Sequence, residues 1–172
     1  DMTGTVLEEH EVQLTEEVVQ QTIAGFVGEI QQVPPMYSAL KVNGQKLCDL
    51  ARKGIEVERK ARPVTIYEII VEKIKFPLVT MTVHCSKGTY IRTLCDDIGK
   101  ALGCGACMEK LVRTKVSSFS LENSVKLSDI ECAVKDGTIE DMILPIDEVF
   151  SAYPKIVAKA EADKKLTNGN AI

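Results

Sequence analysis

Residues 79–103 read VTMTVHCSKGTYIRTLCDDIGKALG and predict a strand, a turn and a helix in succession. Val79, Met81 and Val83 alternate with threonines and a histidine, as in a half-buried strand. After the Lys-Gly turn, apolar residues recur at the spacing of one helix face: Ile91, Leu94, Cys95, Ile98 and Leu102. This stretch therefore brings the polar side chains of its turn to the start of a helix.

Tyr90 and Arg92 would lie at that helix start. Backbone N–H groups and the positive end of the helix dipole point outward there, which favours anionic ligands. An arginine in such a place can orient a carboxylate through paired N–H bonds. The residues alone leave a second interpretation open. Arg92 could form an exposed ion pair with Asp96, four residues later, and Tyr90 could be an ordinary aromatic at the edge of the core.

Four separated blocks of the sequence resemble the bacterial TruB family of tRNA pseudouridine synthases. The first is residues 85–105, and the others are VPPMYSALKVNG at 33–44 with ARKG at 51–54, LVRTKV at 111–116 and LPIDE at 144–148. Their order and spacing match the family over nearly the whole chain. The resemblance implies an α+β fold, namely part of the pseudouridine synthase catalytic domain, with a mixed or antiparallel sheet flanked by helices. The alternation of strand and helix patterns agrees with that class.

The resemblance also implies an activity, which is the isomerisation of uridine to pseudouridine at position 55, in the T-loop of tRNA. The target base is stacked in the RNA, so the enzyme must flip it into a pocket. Arg92 would pair with the catalytic aspartate and keep it ionised. Tyr90 would pack against the flipped base, and Leu111 would form an apolar wall of the pocket. No metal or organic cofactor is implied, and we expect a cytoplasmic monomer that binds the T-arm of tRNA and no membrane.

The motif that carries the nucleophile of this family, Gly-His-x-Gly-Thr-Leu-Asp-Pro, does not occur in the 172 residues. The sequence also begins with Asp1 rather than Met. We therefore expect residues 1–152 to be the C-terminal part of the catalytic domain and residues 153–172 to be the start of a small C-terminal domain. We expect this piece alone to be inactive. The alternative is a non-catalytic RNA-binding or interaction module.

Charge is distributed unevenly along the chain, whose formal net charge is −4. Residues 1–40 carry a net charge of −7, residues 41–115 carry +7 and residues 116–172 carry −4. A basic middle segment suits contact with phosphates, although a merely solvated surface is also open. The candidate RNA-binding residues are Lys41, Arg59, Lys60, Arg62, Lys87 and Arg113.

The six cysteines do not form a paired framework, which indicates reduced thiols. Cys104 and Cys107 form a Cys-x-x-Cys pair, and a zinc site with Cys85, Cys95 or His84 is the rival hypothesis. A structural zinc site usually needs a second spaced pair, which the sequence lacks. No apolar run approaches the roughly 18 residues of a membrane span.

The remaining periodicity predicts further elements. A helix starts at Thr15 and continues through Ile30 until Pro34 and Pro35 end it. Asn43-Gly44 indicates a tight turn. Helix 128–134 has Ser128 and Glu131 as a possible capping box. The other predicted elements are strands at 4–12, 38–42, 64–76, 108–120 and 155–158 and short helices at 46–53 and 146–150.

Overall fold

The computed structural model describes residues 1–169. It divides into two compact units, Asp1–Leu111 and Val112–Ile172. The elements of the first unit are, in chain order, α1 (Glu16–Ala24), β1 (Gly28–Gln32), β2 (Lys41–Val42), β3 (Gln45–Lys46), α2 (Leu47–Arg52), β4 (Arg62–Lys75), β5 (Leu78–Cys85) and α3 (Ile91–Leu102). None of the helices in residues 1–169 is long and apolar enough to cross a membrane.

A three-stranded sheet with the order β1-β4-β5 forms the frame of the first unit. Both strand pairs are antiparallel, with Gln32 opposite Arg62 and Ile66 opposite Cys85. The α+β class predicted from the sequence is thus confirmed, and the sheet is of the antiparallel kind. Because β1 and β5 flank the same strand, the residues that follow their ends are held by one rigid element.

The core of the first unit joins α1 and α3 to the central strand. It consists of Val19 and Ile23 from α1, Ile66 from β4, and Leu94 and Ile98 from α3. Ile66 and Leu94 are fully buried. Burial of each such side chain contributes about 1.5–3 kcal/mol, so this cluster fixes the start of α3 relative to the sheet.

The helix α1 begins as predicted but ends earlier. The Thr15 hydroxyl accepts a hydrogen bond from the backbone N–H of Val18 at 3.4 Å, which caps the helix. The helix ends at Ala24, and Ile30 lies on β1 rather than on the helix. The prediction that the helix runs to Pro34 was wrong because Gly28 adopts a φ of +116°, and the following residues then gain backbone partners on β4.

The Asn-Gly turn and the short helix that follow agree with the sequence patterns, but the strand predicted at 38–42 is wrong over 38–40, because only Lys41–Val42 pair with β3. Strands β2 and β3 pair around a turn in which Asn43 has a φ of +50° and Gly44 a φ of +82°. Positive φ at both central residues is the geometry that Asn-Gly favours. The helix α2 buries Leu47 and Leu50, and Gly54 beyond its end has a φ of +72°.

The second unit contains small elements. They are β6 (Lys115–Val116), β7 (Phe119–Ser120), α4 (Leu127–Asp136), α5 (Ile146–Val149), α6 (Asp163–Thr167) and two 3₁₀ turns, Ile139–Met142 and Ala160–Ala162. The predicted helix around 128–134 is confirmed. Its N-terminal cap differs, because the Asp129 carboxylate accepts from the N–H of Lys126 at 3.3 Å, and the predicted Ser128–Glu131 box was wrong.

Three predicted strands were wrong. Residues 4–12 and 155–158 are irregular and exposed except for the half-buried Val12, and residues 108–120 contain only the short β6–β7 hairpin. Alternating polarity marks a strand only where a neighbouring strand supplies backbone partners, and none of the described residues does so for 4–12 or 155–158. The predicted domain boundary at 152/153 remains a prediction, and residues 170–172 of the predicted C-terminal segment lie outside the described residues.

Candidate active site

The turn between β5 and α3 is tied to the central strand. Ser86 donates its N–H to the carbonyl oxygen of Thr65 at 2.8 Å, and its hydroxyl accepts from the N–H of Thr65 at 3.0 Å. Thr89 donates its hydroxyl to the carbonyl of Ser86 at 2.9 Å. Gly88 between them has a φ of +87°, a conformation that favours glycine. The Lys-Gly turn therefore has one fixed path into the helix.

Arg92 lies in the first turn of α3 and links two distant segments of the chain. Its Nη1 donates to a carboxylate oxygen of Asp1 at 3.1 Å, and its Nη2 donates to the carbonyl oxygen of Tyr37 at 2.8 Å. The Arg92 side chain is 37% exposed and that of Asp1 is 22% exposed. The guanidinium is therefore held from two sides in a half-buried place, as a group that orients a carboxylate requires.

The rival interpretation of Arg92 as a surface partner of Asp96 is wrong. Asp96 instead accepts a hydrogen bond from Lys100 at 2.6 Å, and both of these side chains are more than half exposed. This contact raises the pKa of Lys100 above its ordinary value. The ordinary helix-surface ion pair therefore exists in α3, but it does not involve Arg92.

Tyr90 is the residue immediately before α3, and Gln32 binds its backbone. The Gln32 side chain donates from Nε2 to the carbonyl oxygen of Tyr90 at 3.1 Å. Its Oε1 accepts from the N–H of Tyr90 at 2.8 Å. Gln32 is 2% exposed and is one of two buried polar side chains in the described part of the chain. Tyr90 is thus fixed by a residue 58 positions earlier.

A pocket of about 160 Å³ lies beside Tyr90. Its polar lining consists of Tyr90, Gln32 and two cations, Lys87 and Arg62. The other lining residues are Pro34, Leu40, Pro63, Val64 and Gly88. The structure therefore brings two of the predicted RNA-binding cations, Arg62 and Lys87, to the same place as the predicted base-packing residue. A lining that combines apolar residues with two cations suits a nucleotide, which has a flat base and a charged phosphate.

Four other predicted site residues of the first unit do not line this pocket, namely Arg92, Lys41, Arg59 and Lys60. Lys41 is exposed on β2 opposite Lys46. Arg59 is bound by Glu56 at 2.9 Å, and its side chain is only 21% exposed. Lys60 is exposed in the segment before β4.

Two further site predictions remain untested by the geometry. Leu111 is the last residue of the first unit and is 53% exposed. Arg113 is exposed and belongs to the second unit. The roles suggested for both residues therefore stay predictions.

Cys95 on α3 is half-buried. Burial, followed by the neighbouring Cys107, raises the pKa of Cys95 above its ordinary value of 9.0. A thiol with such a pKa stays protonated at neutral pH and is a poor ligand and nucleophile. Among the described side chains, which are those of residues 1–162 and 164–169, no three His, Cys, Asp or Glu residues are grouped so that they could share a metal ion.

Family profiles match almost the whole of the described chain. Residues 1–91 match the TruB family pseudouridylate synthase N-terminal domain, and residues 92–151 match the tRNA pseudouridylate synthase B C-terminal domain. The chain belongs to the TruB family. Arg92 is the first residue of the second match, so the boundary between the two matched domains falls in the first turn of α3.

Curated relatives of this TruB chain agree with that assignment. It is 52% identical over 154 residues to the tRNA pseudouridine synthase B of Lachnoclostridium phytofermentans, covering 84% of this chain and 50% of that protein. It is 42% identical over 172 residues to the tRNA pseudouridine synthase B of Alkaliphilus oremlandii, covering 100% of this chain and 56% of that protein. The chain thus spans about half the length of the curated relatives it matches.

Solved structures show the same fold. A Cbf5–Nop10–Gar1 complex contains a chain that matches with a TM-score of 0.71 and 30% identity, over 94% of this chain and 46% of that one. An H/ACA RNP bound to a substrate RNA containing 2′-deoxyuridine matches with a TM-score of 0.69 and 26% identity, over 95% and 46% of the two chains.

Three contributors to the site were not found from the sequence. They are the Asp1 carboxylate, the carbonyl of Tyr37 and the side chain of Gln32. Tyr37 lies in one of the blocks that resemble the family, so its neighbourhood was indicated, but a carbonyl leaves no signal in residue type. Gln32 directly precedes that block, and only its burial distinguishes it from the exposed Gln31.

Proposed function

We propose that the protein to which this chain belongs is a tRNA pseudouridine synthase that converts uridine to pseudouridine in the T-loop of tRNA. The observation that carries the proposal is the placement of Arg92, which is held by Asp1 and Tyr37 at the start of α3, inside a chain of the TruB family. The proposal includes action on the T-arm by a cytoplasmic monomer.

The reaction is an isomerisation that needs no oxidant or co-reactant. The bond between N1 of uracil and C1′ of the ribose breaks, the base turns, and a bond between C5 and C1′ forms. The proton leaves C5 and N1 gains one, so atoms and electrons balance. A carboxylate nucleophile acts on the nucleotide in this family, and it must be ionised to do so.

Arg92 supports that ionised carboxylate. A guanidinium has five N–H donors, so the bonds to Asp1 and Tyr37 leave donors for a second carboxylate. A cation within about 4–6 Å lowers the pKa of a carboxyl group and favours the charged form. Asp1 and the carbonyl of Tyr37 keep the planar group oriented while the substrate enters.

Tyr90 and the adjacent pocket would receive the flipped base and its phosphates. Tyr90 is half-buried beside the pocket, which suits an aromatic that packs against a base. Lys87 and Arg62 lie at the same pocket and are exposed, so they can contact phosphate oxygens. Leu111 is proposed to form an apolar wall of the site and to contact the bound base.

An extended chain tests the proposed function. It is made by joining the segment that precedes the aligned region of the Alkaliphilus oremlandii relative, whose alignment covers 100% of this chain, to the N-terminus of this chain. The extended chain and the original chain are incubated with unmodified tRNA, and pseudouridine is mapped by primer extension after chemical labelling. A tRNA with cytidine in place of the target uridine serves as the substrate control.

We expect the extended chain to form pseudouridine in the T-loop and the original chain to form none. The intact relative is the positive control under the same conditions. If the relative is active and the extended chain is not, the proposal is overturned. Activity of the original chain would show that a carboxylate within these residues replaces the nucleophile of the family.

A non-catalytic RNA-binding module is the second candidate function. The observation that favours it is the pair of exposed cations, Arg62 and Lys87, that line the pocket beside Tyr90. The experiment above separates the two candidates, because an RNA-binding module would bind tRNA in the extended form without turnover.

A further inference from the structure

The buried amide of Gln32 satisfies both backbone groups of Tyr90 at once. The two bonds, at 3.1 Å and 2.8 Å, are those that a neighbouring strand would make to an exposed edge residue. They connect the last residue of β1 to the residue that precedes α3. Because Gln32 is 2% exposed, water does not compete for either bond.

This contact fixes the point at which α3 begins. Tyr90 occupies the N-cap position, and its side chain makes no capping hydrogen bond. The first helical bond runs from the N–H of Leu94 to the carbonyl of Tyr90 at 3.0 Å, so one carbonyl accepts from both Leu94 and Gln32. Arg92 follows two residues later, and the position of its guanidinium depends on where this first turn starts.

The core of the unit does not need the amide. The buried cluster that holds α3 consists of Val19, Ile23, Ile66, Leu94 and Ile98. A buried amide carries a desolvation cost that an apolar side chain of equal length would avoid. The buried amide of Gln32 is therefore explained by its two hydrogen bonds to the backbone of Tyr90. Both residues line the same pocket.

We propose that Gln32 is a positioning residue of the pseudouridine synthase reaction, which fixes Tyr90 and the first turn of α3 so that Tyr90 and Arg92 meet the substrate in register. This proposal rests on the proposed function. Misplacement of reacting groups by about 1 Å can lower a rate about 100-fold, so loss of this contact acts on the chemical step.

Two substitutions separate the hydrogen bonds from the packing. Gln32→Met keeps the length of the side chain and removes both bonds. Gln32→Glu keeps an acceptor for the N–H of Tyr90, but its carboxylate repels the carbonyl of Tyr90. A protonated glutamic acid restores both bonds, because its O–H donates where Nε2 did. Gln31→Met is the matched control, since Gln31 is the adjacent, exposed residue of the same strand.

The experiment measures the single-turnover rate, the tRNA dissociation constant and the melting temperature of the extended chain and its variants. We expect Gln32→Met to lower the single-turnover rate by about 10-fold to 100-fold while the dissociation constant stays within about 2-fold. We expect Gln32→Glu to regain rate as the pH falls, relative to the parent at each pH. Gln31→Met should match the parent in every measurement.

Three outcomes overturn the proposal: an unchanged rate in Gln32→Met, an equal loss in Gln31→Met, or a Gln32→Glu rate that stays below the parent by the same factor at every pH. If Gln32→Met does not fold, the pH profile of Gln32→Glu decides alone.

If the extended chain without substitutions is inactive, the proposed function is overturned. The contact between Gln32 and the backbone of Tyr90 is then tested separately by amide hydrogen exchange. Exchange at Tyr90 of the original chain should then be about 10-fold faster in Gln32→Met, with Ile98 unchanged. Equal exchange at Tyr90 overturns the proposal.

Discussion

At the scale of single residues, Arg92 shows how one side chain joins segments that are distant in sequence. Its two terminal nitrogens bind Asp1 and the carbonyl of Tyr37, which are 91 and 55 residues away. A planar guanidinium can serve two acceptors and still face a third, whereas a lysine ammonium is a point charge without that fork. The residue therefore contributes geometry as well as charge to the site.

Asp97 on α3 gives a prediction about pH. Burial raises the pKa of this carboxyl group above its ordinary value of 3.8, Lys100 opposes the shift, and Asp96 adds to it. The folded state therefore binds this proton more tightly than the unfolded state, so the free energy of unfolding falls as the pH rises through that pKa. The charge of Asp97 thus destabilises the fold at neutral pH.

Asp97→Asn should therefore raise the free energy of unfolding near neutral pH by up to about 0.5 kcal/mol, as expected of a partly exposed site. The gain should shrink as the pH falls toward the ordinary pKa of an aspartate. Urea denaturation across pH measures this. Asp96→Asn is the control and should lower stability slightly, because it removes the Lys100 pair. A loss of stability in Asp97→Asn at neutral pH would contradict the stated cause.

The residue scale also shows what the sequence could and could not predict. The local succession of strand, turn and helix predicted where Tyr90 and Arg92 lie, but their roles in the site were inferred from the resemblance to the TruB family. Gln32 was not predicted, since its meaning depends on Tyr90, 58 residues away. Asp1 was not predicted either, because its pairing with Arg92 joins residues 91 positions apart.

At the scale of elements, α3 packs unusually closely on the loop that follows it. A Cβ placed on Gly99 would lie 2.0 Å from the backbone nitrogen of Ala106 and 2.4 Å from the backbone carbon of Gly105. Gly105 also donates its N–H to the carbonyl of Gly99 at 3.0 Å. The loop is thus tied directly onto the face of the helix, where only a residue without a side chain fits.

Gly99→Ala should destabilise the chain by about 1–3 kcal/mol, because the clashing atoms are backbone atoms that cannot move without shifting the loop. Thermal and urea denaturation measure the change. Gly25→Ala is the matched control, since its new Cβ would lie 3.3 Å from the carbonyl oxygen of Thr22 and its φ is −66°. That control should stay within about 0.5 kcal/mol of the parent. Equal stability of both variants would contradict the close approach.

Elements were predicted from the sequence where local signals agreed with long-range pairing. The sequence predicted four elements in which the apolar pattern extends over many residues and glycine or proline marks the ends, namely α3, α4, β4 and β5. The apolar stripe of α1 continued into Ile30, and only pairing with β4 makes that residue part of a strand. Residues 4–12 show the reverse case, in which alternation occurs without a partner strand among the described residues.

At the scale of the whole molecule, the basic middle segment is not uniformly available to RNA. Lys87 and Arg62 are exposed at the pocket beside Tyr90, while Arg59 is mostly covered and held by Glu56. The six candidate cations therefore differ in what they can contribute. Net charge over a segment indicates an electrostatic surface, but the free energy of binding depends on which charges remain unpaired.

Salt dependence of tRNA binding tests this ranking in the extended chain. Log affinity should fall linearly with log salt, and Lys87→Ala or Arg62→Ala should each reduce the slope by about 1. Arg59→Ala should reduce it less, because its charge is already paired with Glu56. Lys135→Ala, on an exposed residue of α4, is the control. A larger effect at Arg59 than at Lys87 would place the phosphate contacts elsewhere.

The central claim is that Arg92 serves the isomerisation of uridine and not the stability of the fold. The most direct test is the single-turnover rate of pseudouridine formation by the extended chain carrying Arg92→Lys. Lys100→Gln, which breaks the real surface pair of α3, is the matched control. Both variants should keep their free energy of unfolding within about 1 kcal/mol.

Arg92→Lys should lose at least about 100-fold in rate, because the charge remains but the planar fork is lost, while Lys100→Gln should retain the parent rate. A parent-like rate in Arg92→Lys would show that the planar guanidinium is not required for the isomerisation.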